Sequence, residues 1–150
     1  QLDDRAFRDT IRSVFKSTWT DEAIDQAWNA LLLDIPHPRI QLLQQLAQQY
    51  PIYLLSNTNH IHFVEVNRIL ERSSGLPHLN TIFNQVFLSY EMHLAKPDPA
   101  IYEAVTQACQ LQPEDLVFLD DNVDNINSAR DYGWQSLLVT PAEDMLHHLS

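Results

Sequence analysis

Leu116-Val117-Phe118-Leu119-Asp120-Asp121-Asn122-Val123-Asp124-Asn125 is an apolar run that stops at two adjacent carboxylates and passes through an Asx-rich turn into a helix. A short, uninterrupted apolar run bounded in this way suits a strand buried on both faces, the kind a parallel sheet uses. Ligands of open α/β sheets bind at the carboxyl ends of the strands. Two anions side by side at such an end repel, so each takes up a proton unless a cation sits between them. Oxygen ligands of this type suit a hard divalent cation. Asp120 and Asp121 are therefore the candidate metal ligands, with Mg2+ the expected ion.

Outward from this stretch the hydrophobic period alternates in order. A helix from Val123 to Tyr132, closed by Gly133, leads to a strand at Ser136 to Val139. On the other side come a helix from Pro99 to about Gln110, a strand at Val86 to Leu88, a helix near Ile61 to Leu70 and a strand at Ile52 to Leu55. This rhythm predicts an α/β fold, a Rossmann-like parallel sheet flanked by helices. Before it, Asp3 is a plausible N-cap for a helix carrying Phe7, Ile11 and Val14, and Thr20 starts another with Ile24, Ala27, Trp28 and Leu31 on one face. The turn Ile35-Pro36-His37-Pro38 marks a boundary. The expected organisation is a helical unit over 1–35 and an α/β core over 36–150, with a short terminal helix at Ala142 to Leu149.

Composition narrows the chemistry. At 150 residues and 45% apolar content the chain suffices for a sizeable core. A formal charge of -11 disfavours nucleic acid and anionic membranes as partners. Cys109 is the single cysteine, which rules out an internal disulfide and favours a reducing compartment; with no apolar run of membrane-span length, the expected location is cytoplasmic. Only Gly75 and Gly133 occur, so neither a Walker loop nor a dinucleotide-binding glycine turn can be built. Phosphate, if bound, must be held by side chains, ordinary amides and a metal.

The strand ends are best read together. One gives Ser56-Asn57-Thr58-Asn59, the next leads through Ser89-Tyr90-Glu91 to Lys96-Pro97-Asp98-Pro99, and the third gives Asp120-Asp121. A hydroxyl, an amine and two carboxylates on one rim suit a phosphoryl group with a divalent cation. Ser56, with Asn57 beside it, would donate to phosphoryl oxygens, Lys96 would neutralise charge, and the acids would hold magnesium. Each residue also suits a plainer role: Asp120 and Asp121 as caps of the following helix, Ser56 and Asn57 as turn formers, Lys96 as a solvated surface residue, His60 and His62 as exposed helix-start residues.

The order Leu-Ser-Asn, then Lys-Pro-Asp-Pro, then Phe-Leu-Asp-Asp followed by Asn125, Ala129, Arg130 and Gly133 resembles the haloacid dehalogenase-like (HAD) hydrolase superfamily, especially its phosphatase-like branch with a small helical cap. On that resemblance Ser56 and Lys96 match catalytic motifs, Asp120 and Asp121 match the metal motif, and the substrate is a small phosphorylated metabolite. The adjacent acids favour the magnesium-dependent phosphatase side over the dehalogenase side. The family's enzymes also use an aspartate nucleophile in an earlier Asp-x-Asp motif, and no Asp-x-Asp occurs in these 150 residues. The family's sheet places that strand between the strand ending at Ser56 and the strand ending at Asp120. The opening helices resemble the second half of a cap. The expectation is a C-terminal fragment that is inactive by itself, completed by a missing N-terminal segment or a self-association partner. The alternative is a HAD-fold domain that binds without catalysing.

Overall fold

Asp3 and Thr20 start the first helices as their side-chain chemistry predicts. The computed structural model describes residues 2–139, so the terminal helix expected at Ala142 to Leu149 lies outside the described residues. Asp3 Oδ1 accepts from Ala6 N at 2.7 Å to open α1 (Asp4–Phe15), and Thr20 Oγ1 accepts from Ala23 N at 3.3 Å to open α2 (Asp21–Asn29). The two helices are tied chiefly by charge. Arg8 grips Asp25 with two bonds of 2.8 and 2.6 Å, and Arg12 pairs with Asp21 and donates to the Trp19 carbonyl. The bidentate geometry and partial burial of Arg8 lift this pair above an ordinary surface ion pair. The expected apolar faces are narrower than the periodicity suggests. Ile24 is buried and Phe7 packs on Trp28 at 4.9 Å, but Val14 and Leu31 are exposed and α1 buries no residue fully.

The chain divides between Tyr90 and Glu91 into two compact units. In the first, Pro36 precedes α3 (His37–Ala47), with Pro38 in the opening turn, where a missing N–H costs nothing. The Pro-His-Pro break is thus a helix start. β1 (Tyr53–Ser56), α4 (His60–Ser74) and β2 (Gln85–Leu88) form a parallel β-α-β unit, in register from Tyr53 opposite Gln85 to Ser56 opposite Leu88. Its core gathers Ile40, Leu70, Leu79 and Ile82. The first helices rest on the opening turn of α4. His60 Nδ1 lies 2.7 Å from Asp4 Oδ2, and His62 stacks on Trp28 with Nε2 2.9 Å from the Trp28 carbonyl. His62 is therefore a packing residue rather than a solvated one.

The short helix α5 (Ser89–Met92) crosses the division. The second unit then continues with α6 (Pro99–Cys109), β3 (Val117–Asp120), α7 (Val123–Tyr132) and β4 (Gln135–Leu138). β3 and β4 pair in parallel from Val117 opposite Gln135 to Asp120 opposite Leu138. One face of this ladder is sealed by Tyr102, Phe118 and Trp134, whose rings meet edge to face at 5.1 to 6.0 Å. The indole Nε1 of Trp134 donates to Thr106 Oγ1 at 2.8 Å, satisfying a polar atom that burial would otherwise leave costly. Strand pairing is parallel in both units, and among the described residues it consists of these two ladders.

Candidate active site

Lys96 and Asp120 meet at the carboxyl end of β3. Lys96 Nζ donates to Asp120 Oδ2 at 2.6 Å, with the two side chains only 8% and 7% exposed. The ammonium also lies 5.3 Å from the centre of the Phe118 ring, a cation–π distance. The other carboxylate oxygen, Oδ1, accepts from Asn122 N at 2.8 Å and Asn125 Nδ2 at 2.9 Å. Burial pushes the Asp120 carboxyl up, but the bonds from Lys96, Asn125 and the Asn122 amide together outweigh it and hold the group below its ordinary value of 3.8. A cation therefore does sit at this carboxylate, and it is the lysine ammonium. Lys96 is not a solvated surface residue.

Capping of α7 falls to a neighbour of the acid pair. Asn122 Oδ1 accepts from Asp124 N at 2.8 Å and Asn125 N at 3.3 Å, which leaves neither Asp120 nor Asp121 as the cap. Asp121 is exposed beside the buried pair, and Asp124 is a first-turn acid. Among the described residues no three His, Cys, Asp or Glu side chains gather into a closed cation cage. Magnesium does not require one, since it keeps several waters and is held through one or two carboxylates and substrate phosphate. An ionised strand-end aspartate with an exposed aspartate next to it fits that ion.

Ser56 ends β1 and Asn57 follows it, both in the first unit. Their turn is pinned by Ser89, which is fully buried: Ser89 Oγ accepts from Thr58 N and donates to Thr58 O, each at 3.0 Å. Asn59 then caps α4 by accepting from His62 N at 2.9 Å. The structure thus brings Lys96 together with Asp120, and places Ser56 at the end of β1 and Asn57 in the following turn, which Ser89 braces at Thr58. Sequence reading passed over Ser89 and Asn122 as residues with a task. A small polar residue between a strand and the next helix is the signal in both cases, because it meets backbone groups that neither element pairs.

A family model described as haloacid dehalogenase-like hydrolase matches residues 3–133. The chain belongs to this hydrolase family. Within the HAD family, it is 27% identical over 130 residues to D-ribitol-5-phosphate phosphatase of Bacteroides thetaiotaomicron; the match covers 87% of the chain and 63% of that relative's length. The crystal structure of a HAD family enzyme from Bacteroides thetaiotaomicron, in complex with magnesium and inorganic phosphate, is 36% identical and superposes with a TM-score of 0.91, covering 99% of the chain and 75% of that protein. A HAD-like hydrolase from Porphyromonas gingivalis, 22% identical with a TM-score of 0.88 over 98% of the chain and 71% of its own, shares the fold. The parallel α/β architecture of the HAD fold, read from the sequence period, is the one these structures have.

Proposed function

We propose that the chain carries the phosphate-holding and magnesium-holding part of a hydrolase acting on small phosphorylated metabolites. The observation that carries this reading is the buried Lys96–Asp120 pair at the end of β3, with Asp121 exposed beside it. Asp120 and Asp121 would hold Mg2+, which when bound neutralises charge on a phosphoryl group. Lys96, fixed by Asp120, presents a point cation, and its buried stem keeps it from swinging into solvent. Asn125 and the Asn122 amide keep Asp120 ionised and oriented. Ser56, at the end of β1, would donate its hydroxyl to a phosphoryl oxygen, with Asn57 alongside. The Bacteroides thetaiotaomicron phosphatase and the magnesium and phosphate complex support the choice of phosphate ester and metal.

Turnover through an aspartyl-phosphate needs an Asp-x-Asp segment, and these 150 residues hold none. They are expected to bind magnesium and phosphate without hydrolysis. An aryl phosphate assay with magnesium tests the reading on a protein that joins these residues to an Asp-x-Asp strand. Hydrolysis that disappears on chelation and in Asp120→Asn is the expected result. No hydrolysis from that protein would overturn the enzyme reading in favour of a HAD-fold domain that binds without catalysing.

A further inference from the structure

Tyr102 is completely buried, and its hydroxyl donates to the backbone carbonyl of Asn125 at 2.9 Å. The Asn125 side chain donates to Asp120 Oδ1, and Asp120 receives Lys96. Next to the lysine in the chain, the Pro97 carbonyl accepts from Ser128 Oγ at 2.5 Å. The contacts form two arms behind the pair, one from Asp120 through Asn125 to Tyr102, the other from Pro97, next to Lys96 in the chain, to Ser128. Every member lies in the second unit.

A phenylalanine would fill the aromatic core beside Phe118 and Trp134 equally well, and a buried hydroxyl costs free energy unless it is bonded. The Tyr102 hydroxyl is instead directed at the backbone of Asn125, whose side-chain amide donates to Asp120 Oδ1. Ser128 likewise fixes the carbonyl of Pro97, the residue that follows Lys96. A lysine side chain gives up rotamer freedom when it is held in one place, so a 2.6 Å contact needs both of its ends anchored. We propose that Tyr102 and Ser128 are positioning residues that set the Lys96–Asp120 geometry through the carbonyls of Asn125 and Pro97. The proposal rests on the phosphatase reading for its purpose.

The chain contains only two lysines, Lys16 and Lys96, so the ammonium signals of 15N-lysine-labelled protein report the pair directly, with Lys96→Met giving the assignment. Tyr102→Phe and Ser128→Ala are each expected to speed hydrogen exchange at the Lys96 ammonium by about fivefold, the population change that one net hydrogen bond produces. Ser128→Thr, which keeps the hydroxyl, is expected to restore the slow rate. Thr106→Val is the control: it removes the buried bond to Trp134 from the same helix and lowers stability, yet is expected to leave the Lys96 signal unchanged. The proposal is overturned if Tyr102→Phe and Ser128→Ala leave that signal unchanged, or if Thr106→Val moves it as far. Titration of the wild-type chain with inorganic phosphate in MgCl2 tests the phosphatase reading separately, since a chain that binds no phosphate defeats that reading while the exchange rates still judge the two positioning residues.

Discussion

Asp120 shows how a single carboxylate can be stabilising at neutral pH although it is buried. Its folded pKa lies below the ordinary 3.8, so its ion pair and hydrogen bonds add stability above that pH, and the contribution fades as pH falls through the depressed value. Asp120→Asn leaves Lys96 as a buried cation without its carboxylate, at an expected cost of about 3 kcal/mol in urea unfolding at pH 7, with a flatter acid limb. Lys96→Met is expected to cost less, because Asp120 keeps the Asn122 and Asn125 donors. Tyr102 gives the opposite sign. Burial, then the charge of Asp120, push its phenol up to about 12. A raised folded pKa contributes stability below the unfolded value near 10 that is lost as pH climbs toward 12. Tyr102→Phe should remove roughly 1 to 2 kcal/mol of that alkaline loss, measured by chemical denaturation at pH 9 and pH 11.5. At this scale Lys96, Asp120 and Asp121 were legible because charged residues next to an apolar strand and a Lys-Pro-Asp-Pro turn are conspicuous. Tyr102 and Ser128 were not, because a hydroxyl inside a helix shows no target until the helices are packed.

Helix and strand boundaries follow local chemistry closely. Asp3, Thr20, Asn59 and Asn122 cap four helices with their own side chains, and Gly75 and Gly133 end two more turns with positive φ. The two glycines differ in what surrounds them. A Cβ at Gly133, where φ is +116°, would stand 3.1 Å from Pro113 Cβ, whereas one at Gly75 meets nothing within 4 Å. Gly133→Ala is therefore expected to destabilise by about 2 kcal/mol, and Gly75→Ala by about 1 kcal/mol or less from backbone strain alone. Thermal unfolding of both variants checks the ranking. Strands read from apolar runs differ by a residue from those observed, since a ladder ends where partners end: Ile52 to Leu55 becomes Tyr53–Ser56 because Ser56 still has Leu88 opposite it. The apolar stripe of α1 was over-read because Arg8 and Arg12 do the joining that Val14 was expected to do.

For the whole molecule, the charge of -11 sets the conditions for any anionic ligand. Phosphate approaches against repulsion and Mg2+ with attraction, so added salt should act on them in opposite directions. Raising NaCl from about 10 to 150 mM is expected to weaken Mg2+ binding and to relieve the repulsion of phosphate titrated at saturating magnesium, both read by calorimetry. An equal loss for both ligands would show that local charges, not the overall field, govern access. No described helix is long and apolar enough to cross a membrane. Fold class and family were determined by the sequence alone, because hydrophobic period and three ordered motifs are properties of neighbouring residues. Only the tertiary structure decided that Lys96 is the cation at Asp120, that Ser89 braces the turn after Ser56, and that Tyr102 and Ser128 reach the carbonyls of Asn125 and Pro97. These are contacts between residues 23 to 31 positions apart, and such contacts come into being only when burial forces each polar group to find a partner.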